Sequence, residues 1–193
     1  MKQKLLLIIP ILLLLFKACK PDEKCVDGNN YRYIDEYDYG KIPYKDHSQL
    51  TFVDKKTKDT LVFTGQGFQY GFGKYVSQGE CPQTTNLEYR SLTFINNKNA
   101  DKITIINQFI GLTTSEISFN YKINSKSLSP SYFNAPFAYD SLLISGKYYY
   151  NIKDFTAINS TVDLCFLYTL KEGIVQLIYP PTNDTLNLIK LEL

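Results

Sequence analysis

In the nine residues SEISFNYKI, Ser115–Ile123, polar and apolar side chains alternate without a break from Glu116 onwards. Successive side chains of a β-strand point to opposite faces, so this alternation divides the stretch into two faces. One face would carry Ile117, Phe119, Tyr121 and Ile123, and the other Glu116, Ser118, Asn120 and Lys122. A period of two with one apolar face predicts an antiparallel strand that is buried on one side and solvated on the other.

Similar β-like runs occur on both sides of this strand, separated by short groups of turn-forming residues. The residues DKKTK separate Leu50–Val53 from Thr60–Thr64, and NNKNAD separates LEYRSLTFI from KITIINQF, which predicts two hairpins. Four further runs are predicted to be one strand each: SLLISGKYYYNI, DLCFLYTL, GIVQLIY and TLNLIKLEL. We therefore predict an all-β protein, a single antiparallel β-sandwich or barrel-like meander of about nine to eleven strands. Residues 124–140 would form its longest irregular connection.

The composition fits one globular domain with a strand-rich core. Of the 193 residues, 44% are hydrophobic and 21% are charged, and the aromatic residues comprise 16 Tyr and 12 Phe but no Trp. Aromatic and β-branched side chains favour strands. A chain of this length buries enough surface to fold without a metal or a dense disulfide framework.

Residues 1–18, MKQKLLLIIPILLLLFKA, are typical of a secretory signal. Two lysines precede an apolar run, Leu5–Phe16, and a small residue follows it. As a helix this run would span roughly 18 Å, which is shorter than the roughly 30 Å hydrocarbon core of a bilayer. Pro10 also interrupts it. A cleaved signal is therefore predicted rather than a membrane-spanning helix.

The end of this signal resembles the lipobox of bacterial lipoproteins, in which a cysteine after a small residue is lipidated and becomes the mature N-terminus. Ala18 and Cys19 match the motif, whereas Phe16 and Lys17 depart from it, as in the loose lipoboxes of Bacteroidota lipoproteins. The resemblance implies lipid attachment at Cys19. Two or more acyl chains there would anchor the protein stably in a membrane.

The residues after the lipobox are polar and contain proline and glycine. Lys20, Asp22 and Glu23 resemble the charged tags that direct such lipoproteins to the cell surface, and Pro21 interrupts the pattern. We predict a flexible tether over residues 19–30, followed by a single β domain over residues 31–193. The resemblance implies an outer-membrane location, lipid-anchored, on the periplasmic or the surface-exposed side.

Removal of the signal changes the net charge from +2 to −1, because residues 1–18 contain three of the 21 Lys and Arg residues and none of the 19 Asp and Glu residues. A nearly neutral protein lacks the basic surface that nucleic acid requires, so nucleic acid is excluded as a partner. The predicted partners are the membrane, through the lipid on Cys19, and a small-molecule, glycan or protein ligand of unknown identity.

Three cysteines remain once Cys19 is lipidated. Cys25 and Cys81 lie among polar loop residues, DEKCVDG and QGECPQT, and form a possible disulfide. Cys165, in VDLCFLYTL, is predicted to be a buried thiol that packs as a small hydrophobic residue. No cysteine pair has the C-x₂-C spacing of a zinc site, and one histidine does not complete one. No metal and no cofactor are predicted.

The stretch TGQGFQYGFGKY, Thr64–Tyr75, is the most unusual in composition. A regular strand would place Gly65, Gly67, Gly71 and Gly73 on one face, opposite Phe68, Tyr70 and Phe72. Two interpretations are open. The aromatic row faces the core, with the glycines allowing a bend, a bulge or close packing, or the three aromatic residues face a ligand, as a platform for a sugar or an apolar molecule.

No residue is predicted to be catalytic. His47 is the only histidine, so a nucleophilic triad would have to use it, and nothing around it resembles a nucleophile elbow. Asp35, Glu36 and Asp38 lack the spacing of a calcium-binding loop and are predicted to be solvated acids at a strand end.

Two stretches, IPYKDHSQLTFVDKKTKDTLVFTGQG and LKEGIVQLIYPPTNDTLNLIKL, resemble small, uncharacterised outer-membrane lipoproteins of Bacteroidota. Those proteins have a similar early PY…LTF…DTL hairpin and a late Gly-Ile/Val strand. The resemblance implies a lineage and a cell-envelope location, and it brings no catalytic residues. We expect a lipid-anchored lipoprotein with a non-enzymatic binding or structural β domain. The alternatives are a carrier of a lipid or other apolar ligand and a carboxylate-based hydrolase.

Overall fold

A computed structural model describes residues 30–79, 81–123, 126–132, 137–156, 165–179 and 184–193. Strands make up 69% of the structure and helix 3%. The strands are β1 (Asn30–Arg32), β2 (Gln49–Asp54), β3 (Thr60–Val76), β4 (Thr84–Asn96), β5 (Lys102–Ile110), β6 (Thr114–Ile123), β7 (Lys126–Tyr132), β8 (Phe137–Ile144), β9 (Lys147–Thr156), β10 (Cys165–Thr169), β11 (Gly173–Tyr179) and β12 (Asp184–Glu192). A short helix, α1 (Glu36–Tyr39), lies between β1 and β2.

Eleven of the strands form one antiparallel sheet in the order β7-β6-β5-β4-β3-β2-β12-β11-β10-β9-β8. Two sequential meanders, β2 to β7 and β8 to β12, meet where β12 pairs with β2. The short strand β1 pairs in parallel with the start of β4. The sheet curls into a half-barrel. The predicted all-β antiparallel meander is therefore confirmed. Of the two predicted forms, sandwich and barrel-like, the sheet has the barrel-like one.

The predicted inward face of β6 is buried at Ile117, Phe119 and Tyr121. Phe119 stacks on Phe166 of β10 with ring centroids 5.0 Å apart, and it meets Phe155 of β9 edge-on at 4.8 Å. We call the meander β2–β7 the first wing of the half-barrel and the meander β8–β12 the second wing. These contacts join the two wings across the interior, because β6 lies near one end of the sheet and β9 and β10 lie near the other. The outer face of β6 is less solvated than predicted, since Ser118, between Ile106 of β5 and the neighbouring strand β7, is also buried.

Both predicted hairpins are present, as β2–β3 and β4–β5. The run SLLISGKYYYNI, predicted as one strand, is instead the hairpin β8–β9 with a two-residue turn at Ser145–Gly146. Both turn residues have positive φ, 51° and 84°, as a type I′ turn requires. Apolar residues continue on both sides of this turn, so hydrophobicity alone does not reveal the break. Residues 124–140, predicted to be irregular, contain β7 and the start of β8.

A β-bulge interrupts β3. Gly65 pairs with Phe94 and Phe68 pairs with Leu92, so three steps along β3 oppose two steps along β4. Gly67, within the bulge, has a φ of 89°, which glycine adopts without steric cost. The bulge shifts the alternation by one residue, so the prediction that the four glycines share one face is wrong. Gly65 lies on the inner face, and Gly71 and Gly73 lie on the outer face.

Residues 33–48, the N-terminal strap, cross the inner face of the half-barrel. Three hydrogen bonds tie the strap to the first wing: Ile34 N to Glu88 Oε2 of β4 (2.8 Å), Asn107 Nδ2 of β5 to Asp38 O (2.6 Å), and Lys41 Nζ to Ser115 O of β6 (2.7 Å). Hydrogen bonds to buried or charged partners hold a segment most firmly, because breaking one leaves an unpaired polar group. The first half of the strap is therefore fixed to three successive strands.

The second half of the strap binds the other wing. Tyr168 OH of β10 donates to Lys41 O, and Ile174 N of β11 donates to Tyr44 OH, each at 2.5 Å. The Tyr44 ring is 4% exposed and meets Phe94 of β4 edge-on, with centroids 5.0 Å apart. The strap thus bridges both wings and contributes part of the core.

Asp35, Glu36 and Asp38 do not lie at a strand end, because β1 ends at Arg32 and these residues belong to α1 and its N-cap, but Asp35 and Glu36 are exposed as predicted. Asp35 is the N-cap of α1, and its Oδ1 accepts a hydrogen bond from Asp38 N at 2.7 Å. An aspartate at this position satisfies a backbone N–H that the helix leaves unpaired. Asp38 forms an ion pair with Lys41 at 2.6 Å. Burial raises the pKa of Asp38, but hydrogen bonds from Lys41 and Ser115 and the Lys41 charge bring it below its ordinary value.

We expect the free energy of unfolding to fall as the pH rises above 10. Burial and a hydrogen bond to Glu88 raise the pKa of Tyr39 from 10.0 to about 12, and burial raises the pKa of Tyr44 and Tyr168. The unfolded chain releases these protons first, so the stabilisation is complete below pH 10 and is lost as the pH passes through the folded-state values. Denaturant unfolding by circular dichroism should show a falling midpoint above pH 10 and a shallower fall for Tyr39→Phe. A midpoint independent of pH would contradict this expectation.

Candidate functional site

A cleft of about 560 Å³ lies where the end of the strap meets β3 and β4. This volume is within the range of roughly 300–1,000 Å³ found for small-molecule sites. The strap contributes Tyr44, Lys45, Asp46 and His47, the sheet contributes Phe68, Tyr70 and Arg90, and Leu193 completes the lining. We call this the Arg90 cleft. Its lining combines aromatic rings with polar and charged side chains.

Arg90 lies on the aromatic side chains of β3. Its Cζ atom is 3.4 Å from the centroid of the Phe68 ring and 5.8 Å from that of Tyr70. The contact follows from the ladder, since Tyr70 is the cross-strand partner of Arg90, and Phe68 pairs with the next inward residue of β4, Leu92. A cation over an aromatic face is attracted by the ring quadrupole. The stack fixes the plane of the guanidinium at the floor of the cleft.

Arg90 donates one hydrogen bond to the part of the chain that the structure describes. Nη1 donates to Tyr39 O at 3.1 Å, and Nε is buried without a hydrogen-bond partner. No carboxylate within the described ranges lies at salt-bridge distance from the guanidinium. Glu88, on the same face of β4, instead accepts hydrogen bonds from Ile34 N and Tyr39 OH at 2.8 Å each. A guanidinium carries five N–H donors, and with Nε buried and one Nη1 donor bonded to Tyr39 O, the donors left for a further acceptor are those on Nη1 and Nη2.

The opposite wall of the cleft is the end of the strap, which the β3 bulge holds in place. Gly67 N donates to Asp46 O at 2.8 Å, and Phe68 N donates to Asp46 Oδ1 at 2.9 Å. His47 Nδ1 lies 3.4 Å from Gly65 O. A Cβ atom on Gly65 would come within 2.7 Å of Asp46 O, so glycine is required for this close approach. The bulge therefore holds the end of the strap against β3.

The three aromatic residues predicted to face a ligand lie in different surroundings. Phe68 is partly buried beneath Arg90 and packs against the core. Tyr70 is 59% exposed and lines the cleft. Phe72 lies on the same face but outside the lining, where Tyr31 and Tyr33 meet it edge-on with centroids 5.4 and 5.6 Å away. Tyr70 is thus the member whose ring is open to a molecule in the cleft.

Sequence reasoning missed Arg90, although one signal pointed to it. Only two of the 21 basic residues are arginines, Arg32 and Arg90. In LEYRSLTFI every second residue faces inward. Arg90 occupies one of these inward positions, as Leu92 and Phe94 do. A charge at an inward position of a strand needs a partner or a function, because burying an unpaired charge is costly.

The cysteines fall partly within the described residues. Cys81 is disulfide-bonded. Cys19 and Cys25 lie outside the described residues, so the Cys25–Cys81 pairing and the lipid on Cys19 stay predictions. Cys165 is buried, and its Sγ donates to Asp154 Oδ1 at 2.8 Å.

The alternative functions differ in what the structure offers them. A glycosidase needs two carboxyl groups across its substrate, whereas Asp46 is the one acidic side chain in the described lining of the cleft. A lipid carrier needs an apolar cavity, whereas the described interior of the half-barrel is packed with Phe119, Phe155, Phe166 and Tyr168. His47, the histidine that a nucleophilic triad would have to use, is exposed on the strap.

Within the described ranges, no three His, Cys, Asp or Glu side chains lie close enough together to hold a metal ion. No helix in the part of the chain that the structure describes is long and apolar enough to cross a membrane. No protein-family model, curated protein or solved structure matches this chain.

Proposed function

We propose that this protein is a lipid-anchored lipoprotein of the outer membrane whose β domain binds a saccharide, without catalysis, in the Arg90 cleft. Two independent observations support the two halves of this proposal. The signal and the Ala18-Cys19 junction resemble those of bacterial lipoproteins. The cleft places the exposed ring of Tyr70 beside the stacked pair of Phe68 and Arg90.

The lining favours a saccharide over an acyl chain. Tyr70 supplies an apolar ring face with a polar end, and such residues suit ligands that have both kinds of surface. Lys45, His47 and Arg90 surround it with hydrogen-bonding groups. A lipid chain would leave these groups desolvated and unpaired, which is unfavourable. The single observation that carries the binding function is this pairing of an open aromatic face with unused donors.

The binding function is tested with the full chain in detergent and a panel of oligosaccharides. The panel contains the neutral hexamers of maltose, cellulose and chitin type and the acidic hexagalacturonate, each titrated by ligand-detected nuclear magnetic resonance. At least one oligosaccharide of the panel should bind the wild type, and its binding should be lost with Tyr70→Ala. The matched control is Tyr150→Ala on β9, because Tyr150 is 63% exposed, close to the 59% of Tyr70, and lies outside the lining of the cleft. Binding that both variants retain would place the ligand elsewhere.

We expect Cys19→Ala to abolish incorporation of labelled palmitate into the protein. The thiol of Cys19 is the predicted attachment atom, and alanine removes it. The measurement is metabolic labelling in bacteria that express the full-length precursor, followed by purification of the protein. Cys25→Ala is the matched control and should keep the label. Equal labelling of wild type and Cys19→Ala would refute the anchor, and protease treatment of intact cells would distinguish the surface from the periplasmic side.

A further inference from the structure

We infer that the ligand of the Arg90 cleft is a saccharide that carries a carboxylate, and that Arg90 is the residue that selects for it. This inference rests on the proposed binding function and specifies its ligand class. Its starting point is the guanidinium of Arg90, which is partly buried, has one hydrogen bond to the described chain and has no carboxylate at salt-bridge distance among the described residues.

The surroundings of Arg90 leave its charge uncompensated by contact. Both oxygens of Glu88 are occupied by Ile34 N and Tyr39 OH. In the cleft, Asp46 directs Oδ1 to Phe68 N, on the strap side of the lining. Lys45 adds a second positive side chain to the lining, in which Asp46 is the one acidic side chain among the described residues. A guanidinium held in place without a carboxylate at contact distance among the described residues favours an anionic ligand.

The geometry of the stack favours a planar anion. Phe68 covers one face of the guanidinium at 3.4 Å and Nε is buried, which leaves the edge formed by Nη1 and Nη2 to donate hydrogen bonds to a ligand. A guanidinium edge matches a carboxylate in a bidentate arrangement, and such charge-assisted bonds are short and strong. The ring that bears the carboxylate would then lie against Tyr70, whose centroid is 5.8 Å from Arg90 Cζ. Arg90 would bind the carboxylate, and its cross-strand partner Tyr70 would contact the sugar ring.

The test compares two ligands that differ only in charge. Oligogalacturonate and its fully methyl-esterified form have the same rings and linkages, but the ester has no carboxylate. The full chain in detergent is titrated with each by ligand-detected nuclear magnetic resonance at low and high salt. The wild type should prefer the acid by about 10- to 100-fold, because a hydrogen bond to a charged group contributes about 1.5–3 kcal/mol. The preference should shrink as the salt concentration rises.

Two variants change the charge of the cleft in opposite directions. Arg90→Gln should lose the preference for the acid and bind both ligands with similar weak affinity. Asp46→Asn keeps an Oδ1 acceptor for Phe68 N and removes a negative charge from the lining, so it should bind the acid about two- to threefold more tightly at low salt. Circular dichroism establishes that each variant is folded. If Arg90→Gln unfolds because its bond to Tyr39 O is lost, Asp46→Asn and the salt dependence still decide the matter.

The outcomes separate this inference from the binding function. Selective binding of the acid that is lost with Arg90→Gln, or strengthened with Asp46→Asn, supports the inference. Equal binding of acid and ester that is lost with Tyr70→Ala overturns the inference and leaves saccharide binding in place. Binding of neither ligand, together with no binding of the neutral hexamers, overturns both.

Discussion

Replacement of Cys81 by serine should lower the free energy of unfolding by about 4 kcal/mol. Cys81 is disulfide-bonded, and a bridge to Cys25 closes a loop of about 57 residues. In the chain-entropy account, a cross-link over a loop of this length removes about that much conformational freedom from the unfolded chain. The loss is a large fraction of the roughly 5–15 kcal/mol stability of a typical domain. Guanidinium unfolding of the oxidised protein, followed by circular dichroism, measures it directly.

The register of β1 supports Cys25 as the partner of Cys81. β1 runs parallel to β4 and pairs Asn30 with Thr85. Asn30 follows Cys25 by five residues and Thr85 follows Cys81 by four, so this pairing brings together two segments that each begin a few residues after a cysteine.

Three controls make this prediction specific. Cys25→Ser should reproduce the loss seen with Cys81→Ser, and the double variant should be no less stable than either single one. Reductant should destabilise the wild type and leave Cys81→Ser unchanged. Cys165→Ala should keep the full response to reductant, because that thiol contacts Asp154 and is not part of the bridge. Equal stability of Cys81→Ser and the wild type under oxidising conditions would refute the expectation.

The predictable parts of the fold are those that follow from the alternation of polar and apolar side chains along a strand. The clean alternation of Glu116–Ile123 identified β6 and its buried face, and two polar turns identified the hairpins β2–β3 and β4–β5 that precede it. The hairpin at Ser145–Gly146 was missed, because apolar residues run through a turn that depends on backbone conformation rather than on polarity. A bulge was one of the possibilities predicted for the glycines of Thr64–Tyr75, but its position at Gly67, and the shift in register that it causes, were not predicted.

The candidate site was less predictable, because its parts are distant in sequence. Tyr70 and Arg90 meet through the pairing of β3 with β4, and Asp46 joins them through the bulge. The strap was predicted to begin as a strand end with solvated acids, since no local pattern shows that residues 33–48 cross an inner face. Only the contacts with both wings reveal that role. Chemistry that depends on such contacts is not encoded in local periodicity.

The strap is most sensitive to change at Gly173, the first residue of β11. Gly173 has a φ of 76°, and an added Cβ atom would overlap the hydroxyl and ring of Tyr44. Tyr44 is unable to move away easily, because its ring is buried against Phe94 and its hydroxyl accepts the hydrogen bond of Ile174 N. A methyl group at position 173 would therefore displace the strap from β11 and leave a buried N–H unpaired.

We expect Gly173→Ala to lower the free energy of unfolding by about 3–5 kcal/mol, from backbone strain, overlap with Tyr44 and the lost hydrogen bond together. Gly146→Ala is the matched control, because Gly146 has a similar φ of 84° but open space around its Cβ position. It should cost only the backbone strain, about 1–2 kcal/mol. The difference between the two variants in denaturant unfolding isolates the contact between the strap and β11. If both variants lose the same stability, Tyr44 does not fix the strap against β11, and the bridging role of its second half would have to be abandoned.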